Sequence, residues 1–321
     1  MTTILLEAQT YRRLADQLNA IDPTLNFVLM EADGQLYANG QPVSLAEAQP
    51  QVAWLNVGLM RTDLAPAYIQ AVLEAGTIKW LQSMHAGRDQ DFYRQMAEQG
   101  IRISGSNAQA IAIAEYVIGN VLACYQQVFE RRRFQQAHQW QRTISREIWR
   151  TTWLLVGFGN IGQAIAQRVR AFEANVSAVR RSGQAHPLAN TVITLDQLPE
   201  HLPQADVVVI ACPLTAETAG LANSDFFQQL KPGATFVNIA RGKIVDEAAL
   251  LDALQQGRVA EAILDVFDPE PLPPDSPLWD VKNILISPHS SNSGCNTPLR
   301  GDLLFLENLR RFLNNEPLLN E

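Results

Sequence analysis

The chain has 321 residues, which at roughly 150 residues per domain implies about two domains, each long enough to bury a core. With 47% hydrophobic and 18% charged residues, the composition excludes disordered, collagen-like and coiled-coil proteins. A net charge of −8 with no long basic tract gives little attraction for a phosphate backbone or an anionic membrane, so neither nucleic acid nor membrane is an expected partner. The three cysteines, Cys124, Cys212 and Cys295, are scattered and form no C-x-x-C pair. That excludes a disulfide framework or a thiolate metal cage and fits a reducing compartment. Residues 1–9 lack a basic stretch followed by a signal-type apolar core, and no apolar run approaches the ~20 residues of a membrane helix. The expectation is a soluble, cytoplasmic protein without a metal.

In chain order, short apolar runs at 3–6, 25–30, 52–59 and 77–83 predict strands, and apolar residues at helical spacing over 11–18 and 65–74 predict helices between them. Gly76 stands where a left-handed C-cap is wanted. The mostly apolar run from 107 to 128 predicts one long, largely buried helix, followed by a polar segment, RRRFQQAHQWQR. A second alternating series then predicts strands at 153–156, 176–179, 207–211, 235–239, 262–266 and 284–287. Six short strands with helical patterns between them describe an open, parallel, doubly wound α/β sheet. An amphipathic stretch at 303–313 predicts a closing helix.

The segment LLVGFGNIGQAIAQRVRAF places G-x-G-x-x-G at Gly157, Gly159 and Gly162, directly after a strand and before a helix. That context gives the motif its weight. Gly157 permits the tight turn, Gly159 lets the backbone approach a pyrophosphate, and Gly162 allows close helix–strand packing. The N–H groups near Asn160 and Ile161 then point at phosphates from the positive end of a helix dipole. In such fingerprints an acidic residue about 20 positions on takes the ribose 2′-hydroxyl. Here Arg180 occupies that place, with Arg181 and Ser182 beside it. A guanidinium offers a 2′-phosphate charge-assisted hydrogen bonds of roughly 1.5–3 kcal/mol each, enough for a tenfold preference. The expected cofactor is NADP(H), with NAD(H) second; the bland alternative is a pair of solvated arginines.

Reducing a carbonyl beside a carboxylate needs a grip on the carboxylate and a proton donor for the oxygen. Arg241, Glu270 and His289 each follow a predicted strand, at the carboxyl ends where open α/β sheets place ligands. Arg241 has the planar fork for a carboxylate. His289 can act as acid and base near neutrality, and Glu270 would favour its imidazolium and fix its orientation. Each taken singly reads as a structural hydrogen-bonder, a surface charge or a turn. Their combination after a dinucleotide fingerprint points to hydride chemistry.

The stretches VGFGNIG, IACPLTAETAGL, FVNIARGKIVDEAAL, ILDVFDPEPLPPDSPLW and NILISPH, in this order and spacing, resemble the D-isomer-specific 2-hydroxyacid dehydrogenases. The resemblance implies that Arg241 binds and polarises a 2-keto acid and that Glu270 pairs with the proton-donating His289. It adds Cys212, Pro213, Ala240 and Asp265 to the cofactor contacts, with Asp265 near the nicotinamide carboxamide. It also implies two Rossmann-like or flavodoxin-like domains with a cleft between them. Residues 1–104 and 290–321 would bind substrate, and residues 105–289 would bind the dinucleotide. A homodimer formed through the cofactor domain is implied as well, with IAIAEYVIGNVLA and Arg131 to Arg133 at the interface. The first hundred residues match less well. LQSMHAGRDQ resembles the family's A-G-V-D substrate loop, which points to His85, Ala86 and Gly87 as substrate contacts. Arg88 stands where valine is usual, before Asp89, and Glu173 stands where glycine is common.

The reading is a 2-keto acid reductase, or in reverse a D-2-hydroxyacid dehydrogenase, acting on a small acid such as glyoxylate or hydroxypyruvate. The alternative from another class is a corepressor-like binding protein that senses the nicotinamide state without significant turnover. A 3-phosphoglycerate oxidiser is disfavoured because an acidic ribose ligand would be expected at Arg180.

Overall fold

In the computed structural model, which describes residues 1–88 and 90–321 without the side chain of Arg61, the chain divides into two compact units. Asp89 therefore lies outside the described residues. One unit comprises Met1–Gln109 with Cys295–Glu321, the other Ala110–Gly294.

The first unit runs β1 (Thr3–Glu7), α1 (Ala8–Ile21), β2 (Asn26–Met30), β3 (Leu36–Ala38), β4 (Gln41–Pro42), α2 (Leu45–Ala48), β5 (Val52–Leu55), α3 (Ala65–Glu74), β6 (Trp80–Ser83), α4 (Asp91–Glu98) and β7 (Arg102–Ser104). The sheet order is β4-β3-β2-β1-β5-β6-β7. Its β1, β2, β5, β6 and β7 are parallel, and an antiparallel pair, β3 and β4, extends one edge. Local chemistry sets several boundaries. The Glu7 carboxylate accepts the N–H groups of Gln9 and Thr10 and so opens α1, as an N-cap must. The strand predicted over 52–59 ends at Leu55 because the Asn56 side chain accepts the Leu59 N–H at 2.9 Å and donates to Thr10 Oγ1 at 3.0 Å. That bond folds the chain into a turn. Gly76 takes φ +62° just beyond α3.

The second unit contains α5 (Ala110–Tyr125), α6 (Val128–Gln136), β8 (Thr152–Val156), α7 (Asn160–Val169), β9 (Asn175–Val179), β10 (Thr191–Ile193), α8 (Leu198–His201), β11 (Val207–Ile210), α9 (Ser224–Gln229), β12 (Ala234–Asn238), α10 (Glu247–Gln255), β13 (Val259–Leu264) and β14 (Ile284–Ile286). The chain then returns to the first unit through α11 (Thr297–Leu313). The second sheet, β10-β9-β8-β11-β12-β13-β14, is parallel throughout. One face packs on α5 and α7 through Ile113, Val117, Val121, Ile165 and Val169, and the other on α9 and α10 through Phe226, Phe227, Leu250 and Leu254. Coverage of both faces explains why its strands read as continuous apolar runs. The strand order reverses between β8 and β11, which makes their carboxyl ends the topological switch point. Among the described residues, no helix is long and apolar enough to cross a membrane.

Two sequence expectations change. The helix predicted over 107–128 ends at Tyr125, and Gln127 with φ +52° turns the chain into α6. That second helix takes in Arg131 to Arg133 of the polar segment, for which no element was predicted. Arg133 pairs with Glu130 at 2.9 Å, one turn back, and Arg131 reaches Ser145 Oγ at 2.5 Å. A helix without a buried stripe carries no periodic signal. Glu173, at a position where the family often has glycine, adopts φ +58°. The Trp149 indole donates to its carboxylate at 3.0 Å, and the Arg150 N–H donates to its carbonyl at 3.3 Å. Tertiary bonds thus hold a conformation that side chains otherwise avoid.

Candidate active site

At the switch point, the fingerprint glycines are fitted to their neighbours. Gly157 has φ +103°, and a Cβ there would lie 2.5 Å from the Cys212 nitrogen. A Cβ on Gly162 would lie 2.4 Å from the Gly157 carbonyl oxygen. A Cβ on Gly159 would meet nothing within 4 Å, and Gly159 is the N-cap of α7 with no side-chain cap bond. The loop is therefore closed on the sheet side and open on the ligand side, with the first N–H groups of a ten-residue helix, including those of Asn160 and Ile161, beside the opening. This cradle fits a dinucleotide pyrophosphate. Cys212 and Pro213 follow β11; burial pushes the Cys212 thiol up to about 11, so it is a neutral thiol at physiological pH.

After β9 the chain turns tightly. The Gly183 N–H donates to the Arg180 carbonyl at 3.2 Å, and Arg180 Nη1 donates to the Gln184 carbonyl at 3.1 Å. That bond uses one of five guanidinium donors. Arg181 and Ser182 are exposed, and residues 174–195 contain no aspartate or glutamate. The same loop returns His186 edge-on to Phe158 of the glycine motif, with ring centroids 5.2 Å apart. The sequence reading missed this contact.

Arg241 follows β12 in a turn fixed by Asn238, whose amide donates to the Arg241 carbonyl at 3.0 Å and accepts the Ala240 N–H at 3.1 Å. Arg241 Nη1 also donates to the Ala240 carbonyl at 2.7 Å. Gly242 is the joint between two turns: a Cβ there would sit 2.0 Å from the Phe267 carbonyl carbon, so only glycine lets the Arg241 turn lie against the Phe267–Asp268 peptide. The Phe267 N–H in turn donates to Glu270 Oε1 at 3.0 Å. The other oxygen, Oε2, lies 2.9 Å from His289 Nδ1. A carboxylate has no proton to give, so Nδ1 carries the hydrogen and Nε2 is left to exchange a proton with a ligand. The His289 side chain is 41% exposed and that of Glu270 37%, so the pair is open to solvent.

His289 sits at φ +48°, in a region non-glycine residues seldom adopt. Its N–H donates to the Asp265 carbonyl at 2.8 Å. The Asp265 carboxylate, 1% exposed, accepts the N–H groups of Ser290 at 2.8 Å and Ser291 at 3.1 Å and the hydroxyls of Ser287 at 2.5 Å and Ser291. Expected beside the nicotinamide carboxamide, Asp265 here directs both oxygens into the histidine turn. Ser287, Ser291, Asn238 and Gly242 were missed as site residues; the S-P-H-S-S and N-I-A-R-G runs are their signal in the sequence.

In the first unit, the loop after β6 holds His85, Ala86 and Gly87. His85 Nδ1 lies 2.7 Å from the Tyr93 hydroxyl, and the His85 N–H donates to Ser83 Oγ at 2.9 Å; Tyr93 and Ser83 hydroxyls are themselves bonded. Arg88 donates to the Ile103 carbonyl at 2.6 Å, which ties it to the end of β7.

Residues 118–291 match the family model described as D-isomer specific 2-hydroxyacid dehydrogenase, NAD binding domain. The chain belongs to the D-isomer specific 2-hydroxyacid dehydrogenase family, whose members are nicotinamide-dependent oxidoreductases. It is 32% identical over 306 residues to the glyoxylate reductase/hydroxypyruvate reductase of Homo sapiens, covering 91% of each chain. Among solved structures it is similar to a D-isomer specific 2-hydroxyacid dehydrogenase family protein from Aeromonas salmonicida, with TM-score 0.77 and 30% identity over 99% of this chain and 98% of that one. A family member from Xanthobacter autotrophicus Py2, solved with NADPH and MES, gives TM-score 0.76 and 28% identity over 99% and 96% of the two chains.

Proposed function

We propose that this protein is a 2-keto acid reductase that prefers NADP(H) over NAD(H), forms the D-2-hydroxy acid, and takes a small substrate of the glyoxylate or hydroxypyruvate type. The observation that carries this reading is the His289 Nδ1 to Glu270 Oε2 bond of 2.9 Å at the carboxyl ends of a parallel sheet, which leaves Nε2 for the substrate oxygen. The nicotinamide, when bound, supplies the hydride that reaches the carbonyl carbon. Arg241 holds the substrate carboxylate and carbonyl. His289, as imidazolium, releases its Nε2 proton to the oxygen, and Glu270 stabilises the charged ring beforehand and keeps its orientation afterwards. In the reverse direction neutral His289 takes the proton from the hydroxyl.

Gly157, Gly159, Asn160, Ile161 and Gly162 are the proposed pyrophosphate cradle, with Cys212, Pro213 and Ala240 along the nicotinamide half. Arg180, Arg181 and Ser182 are the proposed 2′-phosphate ligands, supported by the lack of any carboxylate in residues 174–195. His85, Ala86 and Gly87 are the proposed substrate loop. The human relative's name and the NADPH in the Xanthobacter structure support the substrate class and cofactor. We also propose a homodimer through the second unit, supported by Phe129 in α6 and Trp140 and Ile144 just after it, which are 52%, 100% and 92% exposed. Turnover of a panel of 2-keto acids with NADPH and NADH side by side tests the reading. Reduction of glyoxylate or hydroxypyruvate with a lower KM for NADPH is expected; tight cofactor binding without turnover of any acid would overturn it. Light scattering at twice the monomer mass is expected for the assembly.

A further inference from the structure

We propose that Tyr116, on α5, is a positioning residue for the histidine turn, acting through a directed hydrogen-bond chain from its hydroxyl to Ser287 and on to Asp265. This inference rests on the acid–base role proposed for His289. The Tyr116 hydroxyl lies 2.7 Å from Ser287 Oγ, and Ser287 Oγ lies 2.5 Å from Asp265 Oδ1. The direction follows from the last member. An ionised carboxylate only accepts, so the Ser287 hydrogen is committed to Asp265, and Ser287 Oγ must accept from Tyr116. Burial, aided by the Asp265 charge and opposed by the Ser287 bond, pushes the phenol up to about 12. Tyr116 thus remains a donor throughout the usable pH range.

The chain ends on the group that holds the turn. Asp265 lends its carbonyl to the His289 N–H and its carboxylate to the next two, those of Ser290 and Ser291. These bonds fix a left-handed residue that the backbone alone would not hold. A hydroxyl already accepting a hydrogen bond is a stronger donor, so Tyr116 tightens the Ser287–Asp265 bond and, through it, the orientation of the imidazole. The Tyr116 hydroxyl bonds to Ser287 and to neither His289 nor Glu270, so its influence passes through Ser287.

Tyr116→Phe removes only the hydroxyl and tests the chain in the full protein. The expected result is a roughly tenfold fall in kcat, with KM for NADPH within about twofold because the cradle is untouched. Amide exchange should accelerate at residues 289–291. Ser287→Ala should fall similarly, and the double variant should be no worse than Ser287→Ala alone, because both remove one route. Unchanged kcat, unchanged exchange at 289–291, or a double variant whose losses multiply would each overturn the proposal. If the wild-type protein turns over no 2-keto acid, the functional reading fails separately. The exchange comparison then decides the Tyr116 chain by itself.

Discussion

Two histidines follow strands in this molecule, and their partners differ in kind. His289 Nδ1 faces a carboxylate, Glu270, at 2.9 Å, whereas His85 Nδ1 faces a phenol, Tyr93, at 2.7 Å. A carboxylate dictates which nitrogen holds the proton and favours the charged ring; a hydroxyl can donate or accept and imposes neither. The backbones differ as well. The His289 turn closes on a buried aspartate that takes up its amides, while the His85 loop is tied by Ser83 and by the Ser106 N–H, which donates to the His85 carbonyl at 2.9 Å. A place just after a strand therefore does not make two histidines alike. The charge of the partner marks the one suited to proton transfer.

The sharpest way to break this contrast is His289→Ala against His85→Ala. Loss of a general acid–base should lower kcat by roughly 10²–10⁴-fold, with dinucleotide affinity measured by fluorescence nearly unchanged. His85→Ala should act mainly on KM for the keto acid. Comparable kcat losses in both would remove the distinction. Glu270→Gln keeps the shape but not the charge, and a fall on the order of a hundredfold is expected.

Arg180→Ala should act on the cofactor alone. Its KM for NADPH should rise about tenfold, the worth of one charge-assisted bond to phosphate, with little change for NADH; equal losses would place no phosphate there. The smallest effect concerns thiols. Burial pushes Cys212 up to about 11 and Cys124 up to about 12. At pH 7.5 both are protonated and slow towards iodoacetamide, since the thiolate is the nucleophile. Exposed Cys295 should be alkylated first. Labelling of Cys212 should grow as pH rises towards 11, and mass spectrometry of timed digests would record the order.

Much of the second unit was legible in the residues because its signals are local. The glycine spacing, the strand before it and the helix after it lie within about twenty residues, and Arg241, Glu270 and His289 each announce themselves beside an apolar run. The edge pair β3 and β4, with three and two residues, and the three-residue β7 and β10 are too short to make a periodic pattern. Helix α6 went unread because it buries no stripe.

Sequence alone determined the α/β class and the parallel second sheet, and it singled out candidate groups for the chemistry, since burial on both faces and glycine geometry leave their mark on neighbouring residues. Tertiary structure decided which groups meet. Tyr116 and Ser287 are 171 residues apart, and the need for glycine at 242 appears only when the Phe267 carbonyl carbon stands 2.0 Å from where a Cβ would be. Contacts of this kind depend on how strands are ordered in the sheet, and no local spacing encodes that order.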